Sequence, residues 1–421
     1  MSPTHVRRRW ISVLAGVLAS AMILACGDSG RTPSRTDTRV TPESTAAPAT
    51  PTHAAPQIGV FVVRGDGSAL RRVSDEDAFS QAWSPDSTQL AFVNRVSQGH
   101  ELTLLNVASG ATRQFGETRP ATLAFSPNGQ QLLVTAPTAP GAAPETPPVL
   151  EVIDVDTGQR RRIADAIGGE WAPDGSRVAV AGTNCDARFV RVIVDLATGK
   201  TSDLLSKHPG ASTFASRDWS RAAYFKFGGP FLDDPQVDNP LFVANLDGTD
   251  ERALPTAGIG RAIPSWSPDG RWIAYASRSK GVYTPYVLRA DGSGAPIKLA
   301  EGGETDECSP DSSMILLHTG TNGADASKIE NVIYEVANAT TRSLQSGPLY
   351  AVQWSPTGDR IAFVAPTATG STALFLYDVA SGGTTQVTDA SISPAIPRWS
   401  PDGKQIAFLG IPGGYDYGPC L

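Results

Sequence analysis

The sequence has 421 residues, of which 18% are charged and 40% hydrophobic, and it contains 41 glycines and 33 prolines. This balance is typical of many short strands joined by tight turns, and it excludes a protein built mainly of long helices. The formal net charge of −7 argues against a nucleic-acid partner, because binding to phosphates depends on an excess of Lys and Arg.

The chain begins with the features of an export signal. Three arginines from Arg7 onward precede an apolar segment, Ile11 to Ala25, that is too short to span a bilayer comfortably. The segment ends in ILAC, which resembles the lipobox of bacterial lipoproteins, in which the cysteine is lipidated and becomes the N-terminus. The resemblance implies a signal peptide over residues 1–25 and a lipid anchor on Cys26. We therefore expect an extracytoplasmic protein anchored to the cell membrane or outer membrane, with ordinary secretion and a retained anchor as the alternatives.

Residues 26–57 predict a tether. They are rich in Pro, Thr, Ser and Ala and nearly lack large apolar side chains, so they cannot form a core. The domain organisation predicted from the sequence is thus a signal peptide, a disordered linker from the lipidated Cys26 to residue 57, and a globular part over residues 58–421.

One phrase recurs throughout the globular part. It consists of an aromatic residue, a Ser-Pro-Asp-Gly turn and an alternating apolar strand, with spacings of 42 to 51 residues between copies. The aromatic residues, which we call anchors, are Trp83, Phe125, Trp171, Trp266, Trp354 and Trp399. Cys308 takes the anchor position in one further copy. In the most degenerate copy, the fourth, Ala215 takes that position, Asp218 the acidic position and Trp219 the glycine position.

A second hairpin accompanies each of the eight copies. Two hairpins per period give four strands, which is one blade of a β-propeller. The sequence therefore predicts an all-β, eight-bladed propeller of four-stranded blades, with seven blades as the alternative because the fourth copy has lost its aromatic, Pro and Gly. The chain starts with a hairpin of the second kind at residues 58–74 and ends with one of the first kind around Trp399. We expect these two to pair and close the ring, which removes free sheet edges.

The repeat resembles the WD40-like PD40 repeat of TolB-like propellers and of the propeller domains of prolyl-oligopeptidase-type and tricorn-type peptidases. The resemblance covers residues 58–409 and implies the propeller fold, which hosts many unrelated activities. TolB itself belongs to an envelope-maintaining system. This chain differs in having no α/β domain before the propeller, and it lacks the GxSxG nucleophile motif that a peptidase of the prolyl-oligopeptidase type needs.

The repeated turn has a structural explanation. Pro fixes φ at the second position, Asp bonds to its own backbone, and Gly accepts the left-handed conformation. The anchor aromatics should be buried between blades. We therefore interpret the turn aspartates as structural rather than catalytic: Asp86, Asp174, Asp269, Asp311 and Asp402.

Polar residues precede some anchors, where most copies have small or apolar ones: Glu170, Asp306, Glu307, Gln353 and Arg398. Acids near one arginine predict a ligand site at the channel mouth for a cation, a cationic peptide end or another polar group. The alternative is that they only hydrate the channel.

A second candidate site lies in the longest loop. Asp233, Asp234 and Asp238 could hold calcium, but the spacing differs from that of calcium-binding loops, and a solvated acidic loop is the favoured interpretation. No other metal or cofactor is expected. Whether Cys185 and Cys420 form a disulfide stays open, because three cysteines follow Cys26 and none has a CxxC spacing.

The predicted function is a non-enzymatic binding module for an envelope protein, peptide or glycan. The first alternative is a hydrolase or lyase in which Glu170 works with Asp306 or Glu307 in the channel mouth. The second is a structural or sensory platform. The oligomeric state is not predicted.

Overall fold

The structure is a computed structural model that describes residues 58–74, 77–97, 99–139, 146, 148–166, 168–181, 191–203, 212–226, 240–256, 264–279, 282–320 and 328–412. The predicted signal peptide and tether, including Cys26, lie outside these residues. So do the loop acids Asp233, Asp234 and Asp238 and the cysteines Cys185 and Cys420.

The described residues form 32 strands and no α-helix, arranged as eight four-stranded antiparallel sheets. Each sheet is one blade, and the predicted eight-bladed β-propeller is confirmed. The strands of blades 1 to 4 are β3 (Ala78–Trp83), β4 (Gln89–Val96), β5 (Gly99–Asn106) and β6 (Thr112–Glu117); β7 (Arg119–Phe125), β8 (Gln131–Ala136), β9 (Val149–Asp154) and β10 (Arg160–Ala164); β11 (Gly168–Trp171), β12 (Arg177–Ala181), β13 (Arg191–Asp195) and β14 (Thr201–Asp203); and β15 (Ser212–Ala215), β16 (Arg221–Phe225), β17 (Leu241–Asn245) and β18 (Arg252–Ala253).

The remaining strands complete the ring. Those of blades 5 to 8 are β19 (Ser265–Trp266), β20 (Trp272–Ser279), β21 (Val282–Arg289) and β22 (Ile297–Lys298); β23 (Glu304–Cys308), β24 (Met314–Thr319), β25 (Glu330–Glu335) and β26 (Thr340–Ser346); β27 (Ala351–Trp354), β28 (Arg360–Pro366), β29 (Thr372–Asp378) and β30 (Thr384–Gln386); and β31 (Ile392–Trp399), β32 (Gln405–Pro412), β1 (Gly59–Arg64) and β2 (Arg71–Arg72).

The first strand of each blade forms the inner edge of the ring. First strands of successive blades contact each other, as β3 contacts β7, β27 contacts β31 and β31 contacts β3. Residues on these strands therefore line the central channel that a propeller encloses. We call the end of the channel that carries the Ser-Pro-Asp-Gly turns the turn side.

The ring closes as predicted. The N-terminal strand β1 pairs with β32 over six residues, from Gly59 opposite Gly410 to Arg64 opposite Gln405. Arg71 also donates from Nη2 to the carbonyl oxygen of Val107 in blade 1, over 2.8 Å. The eighth blade thus combines both ends of the described chain.

The anchors fill the gaps between blades, with one exception. Trp83, Phe125, Trp171, Trp354 and Trp399 are all buried. In four blades the indole Nε1–H also donates to a carbonyl of the preceding blade, at 2.9 to 3.3 Å: Trp83 to Arg398, Trp171 to Ala124, Trp266 to Phe214 and Trp399 to Gln353.

The exception is Trp266, for which the prediction of full burial is wrong. It is only partly buried, and it packs against blade 4, whose anchor position holds the small Ala215. The guanidinium of Arg221 lies 5.1 Å from the ring centroid of Trp266 and covers the face that a larger side chain would seal. Because Ala215 is small, blade 4 covers less of the indole than a large anchor would, and Trp266 stays partly accessible.

The turn aspartates bond within their own turns. Asp86 Oδ1 accepts from Ser84 Oγ at 2.6 Å and from the backbone N–H of Thr88 at 3.0 Å. These hydrogen bonds hold the pKa of Asp86 below its usual value. Equivalent bonds recur in other turns, which supports a structural role for these carboxylates.

Candidate functional site

The polar residues that precede the anchors all lie on inner strands. Glu170 is on β11, Asp306 and Glu307 are on β23, Gln353 is on β27 and Arg398 is on β31. The last three blades of the ring thus supply four of the five residues.

A bulge in β23 sets the direction of its two acids. The pairing with β24 slips between Thr305 and Cys308, so that Asp306 and Glu307 together stand opposite the single residue Leu316. Bulges of this kind redirect side chains and are frequent beside functional sites.

A second bulge lies in β31, directly before Arg398. The pairing with β32 slips between Ala395 and Arg398, and Ile396 has a φ of 49°. A β-branched residue with positive φ is strained. Gln81 of blade 1 holds this conformation, since its Nε2 donates to the carbonyl oxygen of Ile396 over 2.8 Å.

Glu307 and Gln353 each bond to the next blade. The carboxylate of Glu307 accepts from the backbone N–H of Trp354, and Gln353 Oε1 accepts from the backbone N–H of Trp399 at 2.8 Å. Both side chains are therefore fixed at the blade boundary.

The charge state of Glu307 is unusual. Burial raises the pKa of its carboxyl to about 7, even though the Trp354 N–H and the charges of Arg398 and Arg217 lower it; the charge of Asp306 adds to the rise. Burial in turn lowers the pKa of Arg398, and the Glu307 charge opposes that shift. A partly buried carboxyl and guanidinium thus influence each other in the channel.

Asp306 has a different partner. Its Oδ2 lies 2.9 Å from Nδ1 of His318 on β24. Burial lowers the pKa of His318, but the hydrogen bond and charge of Asp306, together with the charge of Glu304, raise it above its ordinary value. This pair therefore carries little net charge when the imidazole is protonated.

The structure brings four of the five predicted residues together and leaves one apart. Glu307 and Arg398 interact electrostatically, Gln353 lies on the blade between them, and Asp306 adjoins Glu307. Glu170 is exposed on blade 3, three blades away from Glu307 around the ring.

Two further residues belong to this region and were not predicted. His318 pairs with Asp306, and Arg217 acts on Glu307 from the turn of blade 4. Arg217 could have been noticed in the sequence, because it replaces the proline of the repeated turn. No feature of the sequence indicates a role for His318, because its pairing with Asp306 depends on the bulge in β23.

Metal ligands do not converge in the part of the chain that the structure describes, where no group of three or more His, Cys, Asp and Glu side chains is placed to hold an ion. Within the same residues, no helix has the length and apolar character needed to cross a membrane.

Comparison with known proteins supports the fold. No family model matches the sequence. Dipeptidyl-peptidase 5 of Porphyromonas gingivalis is 23% identical over 264 residues, which are 50% of this chain and 39% of that protein, so the chain spans well under half the length of this curated relative. An oligogalacturonate lyase solved in complex with manganese is 13% identical, with a TM-score of 0.51 over 77% of this chain and 96% of that one. TolB from Acinetobacter baumannii is 19% identical over 60% of this chain and 65% of that one, but its TM-score of 0.35 is too low to support an argument. This chain is a β-propeller whose fold is shared by proteins of differing activity.

Proposed function

We propose that the chain is a non-catalytic binding module of the cell envelope. A lipid on Cys26 tethers it to the membrane, and its channel binds a protein, peptide or glycan. The observation that carries the proposal is the polar arc of Glu307, Gln353 and Arg398 on three successive inner strands. Each is partly exposed, and the first two are fixed by backbone hydrogen bonds from the next blade. Convergent, pre-positioned polar groups at a concave surface are characteristic of ligand sites.

The arrangement favours binding over paired-carboxylate catalysis. Acid–base work by two carboxyl groups requires a defined separation across a bond of the substrate. Asp306 is bonded to His318, and Glu170 lies three blades from Glu307.

The proposal is tested with the full-length chain carrying an affinity tag, cross-linked in cells and captured from detergent-solubilised envelopes. We expect one or more specific partners with the wild type and their loss with the double variant Glu307→Gln, Arg398→Gln. Lys404→Gln, a change to an exposed turn residue of blade 8, is the matched control and should capture the same partners. Equal capture by the double variant would contradict a role of the channel.

The anchor is tested separately. Cys26→Ser should move the protein from the membrane to the soluble fraction, because the tether predicted for residues 26–57 separates the ring from its anchor. Retention of the variant in membranes through detergent-free washing would contradict the lipoprotein proposal.

A catalytic role is the second candidate. It is favoured by the pKa of about 7 for Glu307, which suits a general acid or base near neutral pH. The likeness to a dipeptidyl-peptidase and to an oligogalacturonate lyase indicates which substrates to try first. Release of dipeptides or cleavage of oligogalacturonate by the wild type, abolished by Glu307→Gln, would establish this alternative in place of the first.

A further inference from the structure

A bulge in β3 takes Phe79 out of the regular pairing of blade 1. Ala78 and Ser80 stand opposite the consecutive residues Asn94 and Val93, so Phe79 is the extra residue between them. Bulges of this kind redirect a side chain and are frequent next to functional sites. Phe79 lies four residues before the anchor of its blade, towards the end of the channel opposite the turn side. We call this end the loop side.

Two basic side chains contact the ring of Phe79. The guanidinium carbon of Arg95 lies 5.2 Å from the ring centroid, and the imidazole of His100 meets the ring at an angle of 83°, with the two centroids 4.9 Å apart. Arg95 and His100 are direct cross-strand partners in the pairing of β4 with β5, so their side chains leave the same face of the sheet. The three residues form one contiguous group, which we call the Phe79 cluster.

The polar ends of the Phe79 cluster are available for a ligand. Within the part of the chain that the structure describes, no carboxylate or carbonyl oxygen accepts a hydrogen bond from the guanidinium of Arg95 or from the ring of His100. Arg95 is exposed, and His100 and Phe79 are partly buried. The cluster therefore presents unpaired donors on a platform that is itself packed into the blade.

Most other cation–aromatic contacts of the ring differ in this respect. Of the five between described residues, three use a cation that also bonds to a carbonyl or carboxylate of the protein: Arg113, Arg221 and Lys226. Arg289, which lies 4.9 Å from the ring centroid of Trp272, resembles Arg95 in having no such bond. Its cross-strand partner, however, is Trp272 itself rather than a histidine. Arg95 is thus distinguished by the second donor beside it.

We propose that Arg95 and His100 bind a carboxylate group of a ligand at the loop side of the channel, with Phe79 holding both side chains in place. The inference rests on the binding function proposed above and adds a second site, on blade 1, with a stated ligand chemistry. A guanidinium group offers two parallel N–H donors that match the two oxygens of a carboxylate. A guanidinium already stacked on an aromatic ring also loses less freedom on binding than a free one.

The local charge favours an anionic ligand. Burial and the positive charges of Arg95 and Arg119 lower the pKa of His100, and the charge of Glu117 opposes them with the smallest of the four effects. At neutral pH His100 is therefore an uncharged imidazole that can donate one N–H, while Arg95 supplies the positive charge.

The test follows His100 directly by NMR. The full chain, with ring-¹³C-labelled histidine, is titrated in detergent at pH 7 and constant ionic strength with acetate, and with acetamide as the uncharged probe of similar shape. The sequence has only five histidines, so the spectrum is simple, and His100→Gln identifies the His100 signal by its loss. We expect this signal to shift saturably with acetate and not with acetamide, while the signal of His318 on blade 6 stays unchanged.

Three variants test the geometry of the Phe79 cluster. Arg95→Gln should abolish the saturable shift of the His100 signal. Phe79→Leu keeps both polar groups and removes the aromatic platform, so it should weaken the apparent affinity for acetate about threefold. Arg289→Gln, the matched control, removes the other unpaired stacked arginine and should titrate like the wild type. An unchanged His318 signal in each variant shows that the ring remains folded.

The part played by His100 needs a second measurement, because its replacement removes the NMR signal. Phenylglyoxal modifies free guanidinium groups, so bound acetate should slow the modification of Arg95, measured by mass spectrometry of the peptide that contains it. His100→Phe keeps an aromatic edge against Phe79 and loses the donor, and it should reduce this protection by about half. Undiminished protection in His100→Phe would contradict the role of His100.

Three further results would overturn the inference. They are no saturable shift of the His100 signal with acetate, the same shift in Arg95→Gln, and an equal response to inorganic phosphate with the same variant pattern, which would assign the site to anions in general. Envelope partners captured in the experiment above, together with no response of His100 to acetate, would contradict this inference alone. A response of His100 to acetate without any captured partner would contradict the proposed function and leave the carboxylate site standing.

Discussion

Cys308 places a thiol in the anchor position, where most blades have an aromatic side chain. It stands where other blades have Trp or Phe, and it is buried. Burial, with the nearby charges of Glu307 and Asp269, raises the pKa of its thiol to about 12. Since the thiolate is the reactive form, we expect Cys308 to resist alkylation.

This expectation is checked by iodoacetamide labelling at pH 8, followed by mass spectrometry of the peptide that contains Cys308. The native protein should stay unlabelled at this residue while the urea-unfolded protein is labelled fully. Labelling at equal rates in both states would show that the anchor position is open to solvent.

Ionisation of Glu307 should make the free energy of unfolding depend on pH, in a direction that follows from its pKa. Its pKa in the folded chain, about 7, lies above the ordinary value of 4.5, so the folded state holds a proton that the unfolded state releases between these values. Its contribution to stability therefore falls as pH rises through that window. Urea midpoints of Glu307→Gln, measured at pH 5, 6 and 7, should fall less with pH than those of the wild type.

His318→Asn is the control for this measurement. The pKa of His318 is raised above 6.5, so its stabilising contribution is complete below pH 6.5 and is lost only as pH rises through the folded value. The variant should keep the wild-type slope between pH 5 and 6. A wild-type slope in Glu307→Gln over that interval would show that Glu307 ionises normally in the folded chain.

At the scale of the element, the turns use serine in two places where the repeat has glycine. Ser87 and Ser312 have φ values of 62° and 64°. The Oγ of Ser87 accepts from the backbone N–H of Asp402 at 3.0 Å, and that of Ser312 accepts from the backbone N–H of Asp269 at 3.1 Å. Each serine therefore has a strained backbone that glycine would not have, and it makes a hydrogen bond between blades that glycine could not make.

The strained backbone and the hydrogen bond together predict different outcomes for two substitutions of Ser87. Ser87→Ala keeps the strain and loses the hydrogen bond, which should lower the free energy of unfolding by about 1 kcal/mol. Ser87→Gly loses the same bond but relieves strain of about 1 kcal/mol, so it should be nearly neutral. Equal loss in both variants, by urea denaturation, would mean that the backbone at Ser87 is unstrained.

The anchors should differ in how much each contributes to the free energy of unfolding. Trp399→Ala removes a buried indole and should cost about 3–5 kcal/mol. Trp266→Ala should cost clearly less, because its ring is partly exposed beneath Arg221. Equal costs in denaturant unfolding would contradict the difference in burial.

The sequence predicts the ring better than the site. Repeat spacing alone indicated eight blades, and even Trp219 in the glycine position follows from alignment of the fourth copy. The pairing of Asp306 with His318 and the lowering effect of the Arg217 charge on the pKa of Glu307 could not be predicted. The first depends on the bulge in β23 within a single blade. The second depends on the curvature of the ring, which turns the inner strands of different blades towards one channel. Neither leaves a periodic signal in the sequence.

For the whole molecule, the decisive feature is the eighth blade, which is built from both ends of the described chain. Pairing of β1 with β32 buries Val60, Phe61 and Val63 and leaves no free edge inside that blade. Deletion of residues 58–74 would remove β1 and β2 and expose the edge of β32 together with its apolar faces. We expect this variant to unfold or to form oligomers through the open edge.

Size-exclusion chromatography with light scattering and thermal unfolding measure this outcome. A deletion that begins after residue 26 and stops at residue 55 is the matched control: it removes more residues but none of the closing strands, so it should keep the wild-type mass and melting temperature. Closure is a property of the ring as a whole. The loss of an outer hairpin from any other blade removes contacts, whereas the loss of this one also removes the chain connection between the eighth blade and the first and leaves only the contacts of β3 with β31 and β32 between them. A monomeric, normally melting protein without residues 58–74 would show that the other seven blades hold the ring without closure.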